Sequence, residues 1–183
     1  MLSPDERRAA LKIARDAIAS RLAGKPLPPP EISEIPPFNN LAASFVTLKK
    51  RGALRGCIGN IVARMPLWSS IQNNALSAAF GDPRFPELSS DEFDDISIEV
   101  SVLSKPHPIS SYREFIVGKH GVIMELGRAG AVFLPQVALE QGWGPEETLT
   151  HLSLKAGLRG DAWRSDDARF EVFEAEVFGE VEP

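Results

Sequence analysis

Apolar side chains recur every three or four residues near the start of the chain, and this spacing predicts an amphipathic helix over residues 4–23. The recurring positions are Leu11, Ala14, Ile18 and Leu22. Ser3 can cap this helix and Pro4 suits its first turn. Gly24 follows the pattern and can end the helix in a left-handed conformation.

A cluster of prolines interrupts the periodic pattern after this helix. Six of the chain's 15 prolines lie in the segment from Lys25 to Pro37. They are Pro26, Pro28, Pro29, Pro30, Pro36 and Pro37. Because proline lacks a backbone N–H and has a fixed φ, no helix is expected here. The segment is predicted to be an extended connector, partly polyproline II, that lies over the surface.

Apolar and polar side chains alternate in later segments, which is the pattern of half-buried β-strands. The clearest case is residues 95–104, where every second residue from Ile96 to Val102 is branched and apolar, and the opposite face is predicted to be wet. Five further strands are predicted at residues 44–48, 54–58, 121–126, 130–134 and 169–179. Arg51-Gly52 can form a turn between the first two of these five strands, which predicts a hairpin.

Three further helices are predicted at residues 66–80, 135–142 and 145–157. Each begins at a proline, a residue that is favoured in the first turn of a helix. Hairpins together with helical connections predict an α+β fold, an antiparallel or mixed sheet flanked by helices, rather than a doubly wound parallel sheet. A chain of 183 residues is long enough to bury a core without disulfides.

Two short segments connect the predicted helix at residues 66–80 to the strand at residues 95–104. The sequence DPRFP at residues 82–86 predicts a rigid loop, because its two prolines prevent regular structure. Ser89, followed three residues later by Glu92, predicts a short capped turn.

Composition narrows the class of protein. The formal net charge of −5 argues against a general nucleic-acid or membrane-surface binder. A single cysteine excludes an internal disulfide and a thiolate-rich metal site built from one chain. No stretch approaches the ~18 apolar residues of a membrane helix, and there is no signal core. These features predict a soluble cytoplasmic protein, and because phosphate-loop, dinucleotide and metal motifs are missing from the sequence, no cofactor and no metal are implied.

Charge is distributed unevenly along the chain. Residues 161–183 hold eight acidic residues and two arginines, whereas no acidic residue occurs over the 47 positions of residues 35–81. The basic residues of that acid-free segment are Lys49, Lys50, Arg51, Arg55 and Arg64. The chain's single cysteine, Cys57, lies in the middle of the segment, which makes this the candidate place for chemistry.

Cys57 is the first candidate catalytic residue, and Arg55 is the second. Residues two apart in a regular strand share a face, so the Arg55 guanidinium is expected beside the sulfur. A neighbouring cation stabilises the thiolate, which is the reactive form of the group. Gly56 and Gly59 flank the cysteine and are expected to leave room for a substrate.

Three other residues are further candidates for the same site. Asp82 and Arg84 supply a carboxylate and a guanidinium that are expected to face a substrate beside Cys57. His120 is the best candidate base, because it stands at a strand entrance, whereas His107 lies between two prolines in a predicted surface turn. Each feature also has a structural explanation: a buried cysteine that fills space, a solvated hairpin edge, and a salt bridge within the loop.

The sequence LRGCIG at residues 54–59, followed by DPRF at residues 82–85, resembles the AMMECR family. Further matching pieces are KHGV at residues 119–122, LPQV at 134–137, QGW at 141–143 and KAGL at 155–158. The likeness covers nearly the whole chain. It implies one domain over residues 1–183, divided into a larger and a smaller α+β lobe, with the cysteine motif near a shared cleft. The resemblance does not locate the boundary between the lobes.

The resemblance leaves the activity open and implies Memo-like and radical-SAM proteins as partners. The first hypothesis is an enzyme, or an enzyme component, that uses Cys57 as a nucleophile or redox thiol on a small molecule or protein. The alternative is a non-catalytic binding or adaptor module that recognises a protein or a small metabolite. Nucleic-acid binding through the basic segment is the least favoured hypothesis.

Overall fold

Two four-stranded sheets form the framework of the protein. The structure is a computed structural model and describes residues 1–27 and 29–180. In chain order the strands are β1 (Ala43–Lys50), β2 (Ala53–Gly59), β3 (Ile96–Leu103), β4 (His107–Ile109), β5 (Gly121–Leu126), β6 (Ala129–Phe133), β7 (Arg169–Phe173) and β8 (Ala175–Gly179). The helices are α1 (Pro4–Leu22), α2 (Leu67–Phe80), α3 (Pro135–Gln141) and α4 (Pro145–Lys155). The mixture of helices with antiparallel strands confirms the predicted α+β class.

The chain divides into two compact units, each with one of the sheets. The first unit contains Met1–Leu103 and the segment from Glu176 onward, and its sheet has the strand order β2-β1-β3-β8. The second unit is Ser104–Ala175, and its sheet has the strand order β4-β7-β5-β6. The cleft that the family resemblance implies stays a prediction.

The first helix of the first unit begins at the capping residues, as predicted. The Glu6 N–H donates to Ser3 Oγ at 3.3 Å, and the Ser3 N–H donates to the Glu6 carboxylate at 2.6 Å. Helix α1 packs against α2, and both cover one face of the first sheet. The large side chains that are fully buried in this core are Ile18, Val46, Leu48, Leu67, Ile71, Ile96, Ile98 and Val100.

A β-bulge interrupts the pairing of β1 with β2. Strand β1 lies between β2 and β3 and pairs antiparallel with both. Leu48 lies opposite Gly56, but the next residue of β1, Lys49, lies opposite Leu54. Arg55 is therefore an extra residue with no partner in the ladder, and every position of β2 beyond it is shifted by one.

The second unit packs α4 and the 3₁₀ helix Ala162–Arg164 around its own sheet. Its buried core consists of Phe115, Val122, Met124, Leu149, Leu152, Trp163, Phe170 and Val172. The Trp143 ring stacks on His151 with a centroid separation of 3.9 Å and an interplanar angle of 9°. His151 thus has a packing role in this unit.

The structure corrects three sequence expectations about strands. Residues 169–179 are two strands rather than one, because the chain leaves the second sheet after Phe173 and enters the first at Ala175. His107 lies in the short edge strand β4 and not in a surface turn, since an edge strand tolerates the following proline. Ser97 and Ser101 of β3 are buried rather than wet. Strand β3 has a neighbouring strand on each side in the first sheet.

The proline-rich connector contains one turn that the sequence did not predict. Residues Glu31–Glu34 form a 3₁₀ helix between Pro30 and the later prolines. Pro30 itself has φ −67° and ψ 154°, which agrees with the predicted polyproline II conformation. Pro28 lies outside the residues that the structure describes. A single short turn fits because none of its own residues is a proline.

No helix in the described part of the chain is both long enough and apolar enough to cross a membrane. The cytoplasmic location stays a prediction.

Replacement of Gly56 by alanine should destabilise the first unit. A Cβ at this position would lie 2.2 Å from the Ala78 carbonyl oxygen in α2, so strand and helix must separate. We expect Gly56→Ala to lower the free energy of unfolding by about 1–3 kcal/mol, measured by chemical denaturation. Gly144→Ala is the control, because a Cβ there meets nothing within 4 Å, and equal losses in both variants would contradict the close packing.

Candidate functional site

Cys57 projects from β2 on the face that carries Thr47, away from the helices. The bulge places Cys57 opposite Thr47, whereas an unbroken ladder from the same turn would place it opposite the core residue Val46. The Thr47 hydroxyl donates a hydrogen bond to Cys57 Sγ at 3.3 Å. Cys57 is half-buried and is not part of the buried core. It therefore does not act as a core filler.

Arg55 does not lie beside the sulfur as the sequence predicted. Its side chain is directed to Glu92, with Nε donating to Oε1 at 3.1 Å and Nη2 donating to Oε2 at 2.8 Å. Only 8% of Arg55 is exposed, and Lys50 Nζ contacts the same carboxylate at 3.0 Å. The bulge causes this difference, because it ends the alternation that would have placed Arg55 and Cys57 on one face.

Glu92 is the anion that makes the burial of Arg55 possible. Hydrogen bonds from Arg55 and, to a smaller extent, from Lys50 and the Ser89 backbone lower the pKa of Glu92 to about 2, against the opposing effect of burial. Glu92 also accepts the Ser89 N–H at 3.3 Å in the capping box of the 3₁₀ helix Ser90–Asp95. The predicted capped turn is thus formed, and its glutamate has a second function.

Asp82 binds the backbone of Cys57 at the edge of β2 that has no neighbouring strand. Its Oδ2 accepts the Cys57 N–H at 2.9 Å and Arg84 Nη2 at 2.7 Å, while Oδ1 accepts the Arg84 N–H at 3.1 Å and Arg84 Nε at 2.9 Å. The carboxylate is only 1% exposed, so it does not face a substrate as the sequence predicted. Chiefly the hydrogen bonds from Arg84 hold the pKa of Asp82 far below its ordinary value.

Arg84 is the cation that lies next to Cys57. Its Nη2 donates to the Cys57 carbonyl oxygen at 3.1 Å, and 54% of its side chain is exposed. The hydrogen bonds to Asp82 raise the pKa of Arg84, and attraction to Asp82 and to Cys57 adds to that increase. Together the two loop residues bind both the N–H and the carbonyl of Cys57, as a neighbouring strand would.

The two glycines of the motif serve packing inside the first unit. A Cβ on Gly56 would lie 2.2 Å from the Ala78 oxygen, and a Cβ on Gly59 would lie 2.1 Å from the Phe45 ring. The space beside each glycine is therefore filled by the protein itself rather than left for a substrate. Small residues are required here because β2 is packed closely on both sides.

His120 belongs to the second unit, and its proposed role with Cys57 stays a prediction. Its Nδ1 accepts the Ile116 N–H at 3.3 Å, so the neutral ring carries its proton on Nε2. Burial, followed by the positive charge of Lys119, lowers the pKa of His120.

Glutamates from later in the chain offset much of the acid-free segment's positive charge. Lys49 pairs with Glu99 at 3.0 Å, and Lys50 and Arg55 both pair with Glu92. No group of three or more His, Cys, Asp and Glu residues that could hold a metal occurs among residues 1–27 and 29–180.

Comparison with known proteins places the chain in a family. The family model for AMMECR1 matches residues 11–178, which is most of the chain. The protein belongs to the AMMECR1 family. It is similar to a protein of Methanothermobacter thermautotrophicus, with 44% identity over 98% of this chain and 96% of that one. A Methanocaldococcus jannaschii protein is 40% identical over 100% of this chain and 94% of that one.

A solved structure has the same fold. The crystal structure of an uncharacterized protein from Pyrococcus horikoshii has a TM-score of 0.86 and 37% sequence identity, and covers 95% of this chain and 91% of that one. These similarities show the family and the fold, whereas the chemistry of the site depends on its own residues.

Sequence reasoning did not identify Thr47 as a residue of the site. It identified Glu92, but not as the partner of Arg55. Both depend on which residues lie across from β2, which the bulge changes. No pattern in the sequence marks the bulge, so no sequence signal could have identified Thr47. The capping pattern already identified Glu92 as ordered, but not its bond to Arg55.

Replacement of Glu92 by glutamine should destabilise the protein in a pH-dependent way. Because the pKa of Glu92 falls from 4.5 to about 2 on folding, its contribution is complete above pH 4.5 and is lost as pH falls toward 2. We expect Glu92→Gln to lower the free energy of unfolding by about 2 kcal/mol at pH 7, with the difference from wild type shrinking below pH 4.5. Asp91→Asn, an exposed change in the same turn, is the control. A pH-independent difference would contradict the assignment.

Replacement of Asp82 by asparagine tests the hold on Cys57. The variant loses the charge and some of the four hydrogen bonds, so we expect the free energy of unfolding to fall by about 2 kcal/mol. Asp161→Asn is a matched control, because Arg159 binds Asp161 with the same two atoms at 3.2 and 2.9 Å, but on the surface. The control should lose less than about 0.5 kcal/mol, and equal losses would show that burial of Asp82 is unimportant.

Proposed function

We propose that Cys57 is the reactive thiol of an enzyme or enzyme component. The observation that carries the proposal is the position of Cys57 on an edge strand: its sulfur is half-buried on the face away from the helices and accepts the Thr47 hydroxyl, and the Arg84 guanidinium is bound to the carbonyl oxygen of the same residue. A cysteine that only fills space is packed among apolar side chains in a core, and this one is not.

Thr47 and Arg84 favour a nucleophilic sulfur in different ways. A hydrogen bond from the Thr47 hydroxyl stabilises negative charge on Sγ and orients the sulfur. The guanidinium of Arg84, fixed to the Cys57 carbonyl, adds a positive charge that the Arg55 side chain does not supply. Arg55 acts instead through Glu92, by keeping the bulge that turns Cys57 to the face that carries Thr47.

The proposed setting is a pathway shared with Memo-like and radical-SAM proteins, which the family resemblance implies. Co-purification of a tagged protein with a Memo-like protein and a radical-SAM protein encoded in the same genome tests this part. We expect binding that survives Cys57→Ser, because serine changes one atom at a half-buried position. Absence of binding to both proteins would contradict the shared pathway but not the reactive thiol.

Alkylation kinetics test the reactive thiol directly. With iodoacetamide at pH 7, followed by intact mass, we expect folded Cys57 to react faster than the urea-unfolded chain and faster than 2-mercaptoethanol. Thr47→Val should slow the reaction about fivefold, because it removes one hydrogen bond worth about 1 kcal/mol to the charged sulfur. Thr47→Ser keeps the hydroxyl and should restore the rate. Slower reaction of the folded protein would overturn the proposal.

The Cys57→Ser variant separates the enzyme from the binding module. In a strain that lacks its own AMMECR1-type gene, an enzyme that depends on the thiol should fail to complement when it carries serine at this position. A binding module should complement normally, provided that circular dichroism shows an intact fold. The double requirement keeps a loss of folding from being read as a loss of chemistry.

A further inference from the structure

One end of the Arg84 guanidinium is bound to the backbone of Cys57, and the other end is left for a ligand. Nε and Nη2 are occupied by Asp82 and by the Cys57 carbonyl oxygen. Within residues 1–27 and 29–180, no group accepts a hydrogen bond from Nη1, and half of the side chain is exposed. Two N–H donors are thus available to a bound molecule.

The guanidinium is held in place before any ligand binds. Asp82 grips it with both carboxylate oxygens at 2.7 and 2.9 Å, and the Phe85 ring lies 5.5 Å from its central carbon. A preorganised donor loses little conformational entropy on binding, which is the usual advantage of arginine over lysine in anion recognition.

The neighbouring carboxylate does not cancel the attraction for an anion at this end. Asp82 is only 1% exposed, and its oxygens accept hydrogen bonds from the Arg84 side chain and from two backbone N–H groups. The negative charge therefore lies inside the loop, and Nη1 is directed away from it. Of the cations of the hairpin, Lys49, Lys50 and Arg55 are bound to glutamates.

We propose that Arg84 Nη1 binds an oxyanion, a carboxylate or a phosphate, carried by the molecule on which Cys57 acts. This inference rests on the proposed function of Cys57 and adds the chemical class of its substrate. The same loop that fixes the Cys57 backbone thus also recognises the negative charge of the substrate. A neutral substrate would leave these half-exposed donors bound to water.

Two alkylating reagents that differ in charge test the inference. Iodoacetate carries a carboxylate and iodoacetamide does not, but in both the Cys57 sulfur attacks the methylene carbon, a C–S bond forms, iodide leaves and the thiol proton passes to solvent. The ratio of the two rates, normalised to the ratio for 2-mercaptoethanol, removes the intrinsic nucleophilicity of the thiol. We expect this normalised ratio to favour iodoacetate by less than about fourfold, the effect of one unpaired charge at about 5 Å in water, because Asp82 offsets part of the Arg84 charge.

Substitutions of Arg84 show whether the preference comes from this side chain. Arg84→Gln should reduce the normalised ratio to about 1, and Arg84→Lys should keep part of the preference because it keeps the charge. Arg8→Gln is the matched control, since Arg8 is an exposed arginine on α1 that pairs with an aspartate three residues away. Its ratio should equal that of the wild type.

Inorganic phosphate tests the same site in the unaltered protein. Phosphate should slow alkylation of the wild type by iodoacetate, and the protection should be missing in Arg84→Gln. Moderate salt should weaken the preference for iodoacetate, because the guanidinium is half-exposed.

The outcomes distinguish this inference from the proposed function on which it rests. If folded Cys57 reacts with neither reagent, the reactive thiol itself is wrong. If it reacts quickly with both but shows no preference for iodoacetate, the thiol stands and the oxyanion site is wrong. An equal ratio in the wild type and Arg84→Gln, or an Arg84→Lys ratio equal to that of Arg84→Gln, would likewise overturn the role of Arg84. If Arg84→Gln does not fold, Arg84→Lys and phosphate protection of the wild type decide the question.

Discussion

One extra residue in β2 determines which face of the first sheet carries Cys57. Counting from the hairpin turn without a bulge, Cys57 would face the helices opposite Val46 and would be a core residue. The bulge at Arg55 moves it to the face of Thr47, where the sulfur is half-buried and receives a hydrogen bond. A bulge that buries an arginine is stable only with a partner anion, and Glu92 supplies it. The position of the thiol therefore depends on an ion pair formed on a different segment.

The second constraint is the open edge of β2. An edge strand exposes backbone N–H and carbonyl groups that can pair with other chains. Here Asp82 and Arg84 bind both groups of Cys57, so the edge is closed at the residue that carries the thiol. This accounts for the association of LRGCIG with DPRF in one sequence: the second motif completes the backbone bonding of the first. It also brings a fixed guanidinium to a place where the Arg55 side chain does not reach.

Periodicity and capping predicted most elements of the fold, because these signals are local. Helix α1 begins at Pro4 as expected, and the strand predicted at residues 95–104 is β3, Ile96–Leu103. The errors lie where distant pairing decides. The last strand divides at Glu174 because its two halves join different sheets, which no local pattern reveals. Cys57 was predicted as a site residue from its setting and stays a prediction, whereas the partner of Arg55 was not predicted, since a bulge leaves no mark in the spacing of side chains.

The net charge of the chain turned out to be a poor guide to the site, because charges that are far apart in the sequence are close in space. The acidic C-terminal segment binds the N-terminal region: the Leu2 N–H, just before α1, donates to Glu176 at 2.9 Å, and Arg15 Nε in α1 donates to Glu180 at 3.1 Å. The basic hairpin is paired with Glu92 and Glu99 in the same way. After these pairs are formed, the cation that remains at Cys57 is Arg84, itself paired but half-exposed. Local geometry, rather than the excess of one sign, is therefore the basis for expecting an anionic substrate.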